Sequence, residues 1–218
     1  MYILNIETAT KNCSVSLAKN GKTILCKEIA NQGYSHAELL HVFIEEIFTS
    51  SEVSINDLKA VAVSKGPGSY TGLRIGVSSA KGLSYALGIP LIAVDTLQVL
   101  ASQLIIEKGS IVPMIDARRM EVYSAVYNQA HSQIKEVCAE ILDENSYSES
   151  LYPTYFIGDC QEKCKTVLKK DNFHFVSEIV FPSANEMSDL SYQKYIKNEF
   201  EDVAYFEPFY LKDFLALK

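Results

Sequence analysis

The stretch Val61-Ala62-Val63-Ser64-Lys65-Gly66-Pro67-Gly68-Ser69-Tyr70-Thr71-Gly72-Leu73-Arg74-Ile75-Gly76-Val77-Ser78-Ser79-Ala80-Lys81-Gly82-Leu83 decides the fold. A short apolar run enters a glycine loop and a helical segment leaves it, closed by Gly88 and Pro90. A strand, a glycine turn and a helix N-terminus form an anion site, because free backbone N–H groups and the helix dipole point the same way. The Walker spacing fails here: Thr71 stands five residues after Gly66, and no lysine follows in register. Gly76 and Gly82 lie inside the helix, and each costs about 1 kcal/mol against alanine. Close approach to this backbone is therefore expected. At this point it can be made by a ligand or by another helix, the latter favoured by the small residues Gly72, Ser79 and Ala80.

Outward from this segment the pattern is regular. Tyr2–Glu7 and Cys13–Ala18 alternate as strands, and Asn20-Gly21 turns the chain into a third at Lys22–Ile29. Ser35 caps a helix over His36–Thr49, and Ser54 with Asp57 reads as a capping box. Strand Leu91–Val94 and a helix from Thr96 to about Glu107 follow. Further strands are expected at Ile111–Ile115, Glu121–Tyr127, Ile134–Leu142, Tyr155–Gly158 and Phe173–Val176. Helices are expected near Glu144–Leu151, over Gln161–Lys170 and from Ala184, the last boxed by Ser183 and Glu186. Both halves thus read βββαβαβα. Three meandering strands followed by βα units give a mixed sheet with helices on its faces. The expected fold is α/β and two-lobed, of the actin, hexokinase and chaperone-ATPase (ribonuclease H-like) type. The lobes are drawn at 1–108 and 109–218, with the last residues packing back on the first.

The chain has 218 residues, 48% of them hydrophobic, and a formal net charge of -7. It can bury an ordinary core, and it lacks the basic balance of a free-standing nucleic-acid binder. Five cysteines at 13, 26, 138, 160 and 164 form no disulfide framework. Cys160 and Cys164 stand four apart on an expected helix, with no second pair to complete a zinc set. No apolar run approaches the ~18 residues of a membrane span, and the N-terminus reads as a strand. A cytoplasmic location is expected.

On the 36–49 helix, Leu39, Leu40, Phe43, Ile44 and Ile47, with Ala37 and Phe48, cover about half the circumference, wider than a surface helix needs. The surplus suggests a partner surface. Glu7 and Asp116 occupy equivalent places in the two halves, as turn caps or as paired carboxylates.

Gly66-Pro67-Gly68-Ser69-Tyr70-Thr71-Gly72-Leu73-Arg74-Ile75-Gly76 with Ala80-Lys81-Gly82-Leu83 resembles the signature of the bacterial TsaB family. Ile6-Glu7-Thr8-Ala9-Thr10 is similar to that family's opening, with glutamate for its aspartate. Ser35-His36-Ala37-Glu38-Leu39-Leu40, Asp116-Ala117-Arg118-Arg119-Met120-Glu121-Val122-Tyr123 and Pro208-Phe209-Tyr210-Leu211-Lys212 extend the match. The resemblance implies a non-catalytic subunit that activates a TsaD-like enzyme in threonylcarbamoylation of the tRNA adenosine beside the anticodon. The relative TsaD carries His-x-x-x-His after the corresponding strand; here those positions are Thr96 and Leu100.

The resemblance further implies a helical bundle with the partner, through Leu39, Leu40, Phe43, Ile44, Ile47, Gly72, Arg74, Gly76 and Ala80. It implies a TsaE-like ATPase as third partner, a homodimer when the enzyme is absent, and only indirect contact with tRNA. No cofactor is expected on this chain alone and no metal. ATP or ADP would lie where subunits meet, near Glu7, Thr8, Thr10, Gly66, Gly68, Ser69, Asp116 and Arg118. Two alternatives stay open: a self-contained small-molecule kinase or transferase of the same superfold, and a metalloprotease-like enzyme.

Overall fold

Strand β1 (Tyr2–Glu7) sends alternate side chains to opposite faces of its sheet, and that alternation sets the first layer of the core. A computed structural model describes residues 1–30 and 36–212 of the chain. β1 pairs antiparallel with β2 (Asn12–Lys19), which pairs antiparallel with β3 (Lys22–Ala30). On its other side β1 pairs parallel with β4 (Leu58–Ser64), and β4 with β5 (Leu91–Val94). The order is β3-β2-β1-β4-β5. Leu4 and Ile6 point to the face covered by α1 (His36–Thr49) and α2 (Tyr70–Leu87), where Leu40, Ile44, Ile47, Val77 and Ala80 complete the cluster. Ile3, Ala60, Ala62, Ile92 and Val94 point to the other face, against Ala184 and Met187 at the start of α5 (Met187–Ile196).

The second sheet is built from β6 (Ser110–Asp116), β7 (Glu121–Asn128), β8 (Gln133–Ile141), β9 (Thr154–Gly158) and β10 (Phe173–Phe175). Its order, β10-β9-β6-β7-β8, is that of the first sheet read from the other end. Its core gathers Val112, Met114, Val122 and Phe156 with Cys160, Cys164 and Leu168.

The chain divides into two compact units, Met1–Val99 with the described residues from Pro182 on, and Leu100–Phe181. The sequence-based boundary at 108/109 therefore sits inside the second unit. The whole segment around α5, not merely the last residues, belongs with the first sheet. The reason is α5 itself: Ser191 Oγ donates to Asn5 Oδ1 of β1 (2.7 Å), and Ser16 Oγ donates to Ala184 O (2.6 Å).

Four expected helices change. α3 (Thr96–Ala101) stops short of Glu107, its last amides forming i→i+3 turns from Gln103 and Leu104. Residues 144–151 are turns, because the Asp143 carboxylate accepts from the Asn145 amide and the Ser146 hydroxyl, an alternative to helical bonding. α4 (Gln161–Cys164) is one turn long, after which Thr166 and Val167 bond i→i+3. α5 begins at Met187 without the expected box: Ser183 Oγ accepts from Asn185 N (3.1 Å), and Glu186 makes no side-chain cap. The capping box at Ser54 and Asp57 is present. Ser35 lies outside the described residues.

Candidate functional site

Ser69 caps α2, its hydroxyl accepting from Gly72 N (3.3 Å), and Gly88 ends the helix in a left-handed conformation. The loop between β4 and α2 is filled from within the chain. Ser69 N donates to Ala9 O (2.6 Å), Gly66 N to Thr96 Oγ1 (3.1 Å) and Lys65 N to Val94 O (2.8 Å). Ser64 Oγ and Thr96 Oγ1 share a hydrogen bond of 2.6 Å beneath it. From above, Phe209 N donates to Lys65 O (2.7 Å). The amides of Lys65, Gly66, Ser69 and Gly72 are taken up within the fold rather than turned to an anion.

The glycines of the motif record how close this packing is. A Cβ at Gly68 would stand 2.3 Å from Ala9 O, and one at Gly72 would stand 2.1 Å from Thr8 O. A Cβ at Gly76 would stand 2.2 Å from Thr8 Oγ1, and the Thr8 hydroxyl donates to Gly72 O (2.7 Å). Thr8 is a wedge in a notch that only glycine leaves open. The segment Ile6–Thr10 and the glycine motif are thus two halves of one internal joint. Gly82 differs: a Cβ there would meet nothing within 4 Å.

This geometry corrects two groups of expected site residues. Of the expected partner surface, Leu40, Ile44, Ile47, Gly72, Gly76 and Ala80 are buried in the chain's own core. Leu39 and Phe43 are half-buried, and Arg74 is exposed. The wide apolar arc of α1 is consumed by β2, β3 and α2. Among the exposed residues of α1 are Ala37, Glu38, His41, Val42 and Glu45, and among those of α2 are Arg74, Ser78, Gly82 and Tyr85. Tyr85 is 84% exposed.

Of the expected nucleotide contacts, Glu7, Thr8 and Thr10 are buried. Glu7 Oε1 accepts from Ala9 N (2.6 Å), and the Thr10 carbonyl bonds His36 Nε2 (2.7 Å). Burial pushes the Glu7 carboxyl up to about 7, against the pull of the Ser64 hydroxyl and the Ala9 amide. Burial and the nearby Glu7 push the Cys13 thiol up to about 11.

Asp116 and Arg118 belong to the second unit. Asp116 Oδ1 accepts from Arg118 N (2.8 Å) and from Lys163 Nζ, which also donates to Arg119 O (2.9 Å) and Glu121 O (2.7 Å). Arg118 and Arg119 both have positive φ, 72° and 52°. Asp116 is thereby a turn cap.

Arg74 lies over the Tyr70 ring (4.1 Å) and its Nε donates to Tyr210 OH (3.2 Å). Lys81 Nζ donates to Ala204 O (3.2 Å) and Phe206 O (2.9 Å), fastening the C-terminal segment along α2. The sequence reading expected the last residues to pack back on the first lobe but missed the support that Thr96 gives the loop. Thr96 stands two residues beyond Val94, which pairs with Ser64 at the end of the neighbouring parallel strand, and that placement is the signal that could have found it. Among the described residues no three His, Cys, Asp or Glu side chains converge as a metal set. None of their helices is long and apolar enough to cross a membrane.

Residues 23–206 match the family described as TsaD, tRNA N6-adenosine threonylcarbamoyltransferase. The tRNA threonylcarbamoyladenosine biosynthesis protein TsaB of Escherichia coli K12 is 30% identical, over the whole of this chain and 97% of its own. The TsaB of Bacillus subtilis 168 is 34% identical over 63% of this chain and 59% of its own. Among solved structures, YeaZ from Pseudomonas aeruginosa superposes with a TM-score of 0.83 at 24% identity, covering 96% of this chain and 99% of that one. The fold is thus the α/β fold expected from the sequence, and the chain belongs to the TsaB family.

Proposed function

We propose that this chain is a non-catalytic subunit in tRNA threonylcarbamoyladenosine biosynthesis. It binds a TsaD-like catalytic subunit and supports transfer of the threonylcarbamoyl group to the adenosine beside the anticodon. The observation that carries this reading is the filled glycine loop, whose Ser69 and Gly66 amides are bonded to Ala9 and Thr96 instead of facing a ligand. A loop built this way serves packing, and α2 is left to present a surface. Gly82 supports docking there. It forgoes about 1 kcal/mol of helix propensity, and among the described residues nothing lies within 4 Å of a Cβ placed there to account for it. Close approach by another chain does. A TsaE-like ATPase, a nucleotide held where subunits meet, and a homodimer on the same face when the enzyme is absent complete the proposal.

The test is copurification of the tagged full chain with a TsaD-like subunit. Gly82→Leu and Tyr85→Asp should each weaken the complex at least tenfold while the melting temperature of the free chain holds. An undiminished complex in both variants overturns the docking face. Calorimetry of the chain alone with magnesium and ATP should show no binding. Micromolar affinity there would overturn the non-catalytic reading in favour of a small-molecule kinase.

A further inference from the structure

Gly158 fixes the geometry of a second feature, in the unit Leu100–Phe181. Its φ is +122°, and a Cβ on it would stand 1.8 Å from Met114 O, so β9 lies hard against β6 with Met114 opposite Gly158. The chain then turns through Asp159, whose carboxylate accepts from Asp116 N (2.8 Å), and enters α4. Cys160 is the N-cap of that turn, and Cys164 N donates to Cys160 O (3.1 Å). Cys160 and Cys164 lie with Met114 in one buried cluster of this unit. Cys164 Sγ lies 3.6 Å from Met114 Sδ. Cys160, Cys164 and Met114 are 4%, 0% and 1% exposed.

We infer that Cys160, Cys164 and Met114 form a three-sulfur site for one soft monovalent cation, Cu(I). Two sulfurs each about 2.3 Å from one ion stand roughly 3.8–4.0 Å apart at trigonal to tetrahedral angles. The Cys164–Met114 spacing needs a shift of only a few tenths of an ångström. Thiolate with thioether is a soft donor set that favours Cu(I). Zinc would want a fourth ligand of nitrogen, thiolate or carboxylate type, and no such convergence exists among the described residues. Binding releases both thiol protons to solvent and transfers no electron. Two thiolates and one Cu(I) leave a net charge of minus one, beside the Lys163 ammonium.

The test is anaerobic titration of the reduced full chain with Cu(I) held by bicinchoninate. One equivalent should be withdrawn from the chelator, and the melting temperature should rise. Cys160→Ala and Cys164→Ala should weaken retention by roughly 100-fold, and the volume-conserving Met114→Leu by roughly 10-fold. Circular dichroism checks that each variant is folded. Cys26→Ser and Cys138→Ser, the partly exposed thiols, should change nothing. Failure to withdraw copper overturns the site. So does withdrawal that survives Cys164→Ala or vanishes in Cys26→Ser. If Met114→Leu binds as tightly as the unaltered chain, the third ligand is wrong and the three-sulfur site falls.

Discussion

The two sheets carry the same strand order, yet their first hairpins are held in opposite ways. In the first unit the β1–β2 turn is swallowed: Thr8 wedges between Gly72 and Gly76, and Ala9 abuts Gly68. In the second unit the β6–β7 turn stays exposed, tied by Lys163 to Asp116 and to two carbonyls, with two arginines in left-handed conformation. The difference follows from what comes after the fourth strand of each sheet. β4 opens into an eighteen-residue helix rich in small residues; β9 opens into a single turn. A long glycine-bearing helix lets a turn sink into it, while a short one leaves a lysine to hold the turn from outside. One topology thus gives one unit a buried joint and the other a surface clasp.

The sharpest break of that comparison is a pair of alanine substitutions, one in each unit, at a glycine pressed against a neighbouring element. Gly158→Ala adds a methyl 1.8 Å from Met114 O at a φ of +122°. Strain and overpacking together should cost about 4 kcal/mol or more. Gly76→Ala meets a side-chain hydroxyl instead, Thr8 Oγ1 at 2.2 Å. It should cost about 2 kcal/mol, since the clash is partly offset by helix propensity. Denaturant unfolding measures both, and hydrogen exchange should place each loss in its own unit. If Gly76→Ala costs nothing, the Thr8 wedge is not what holds the first hairpin.

The buried joint also leaves a signature in pH. Glu7 ionises near 4.5 in an unfolded chain and at about 7 in the folded one. Between those values the folded state binds more protons, so its contribution is whole below 4.5, falls as pH rises to about 7, and levels off above. Glu7→Gln removes that loss. The variant should match the unaltered chain at pH 4.5 and exceed it by about 3 kcal/mol at pH 8, at about 1.4 kcal/mol per pKa unit. Parallel stability curves from pH 4.5 to 8 would mean that the carboxyl is not desolvated as described.

The strands and their order along the chain were legible because period-two alternation and the Asn20-Gly21 turn are local signals. The helices over 144–151 and 161–170 were misjudged because Asp143, Ser146 and Thr166 offer the backbone local partners that compete with helical bonds. The glycines announced a close approach but not its source. Thr8 is far from Gly76 along the chain, and the bonds from Ala9 and Phe209 are main-chain, leaving no trace in residue type. α1 misled for a related reason. An apolar arc says how much surface is covered, and three neighbouring elements of the same chain cover most of it.

Gly82 is where the two explanations for helix glycines separate with the smallest effect. Gly76 is glycine because Thr8 needs the room, whereas among the described residues nothing needs room at Gly82. Gly82→Ala should therefore stabilise the isolated chain, by up to about 1 kcal/mol, through helix propensity and a less flexible unfolded state. If another chain's backbone approaches there, the same methyl should weaken the complex while the free chain grows more stable. Thermal melts of the free chain and titration with the TsaD-like subunit read the two signs independently. Opposite signs would place the cost of Gly82 in association; a gain in both would make it an unused cavity on an ordinary helix.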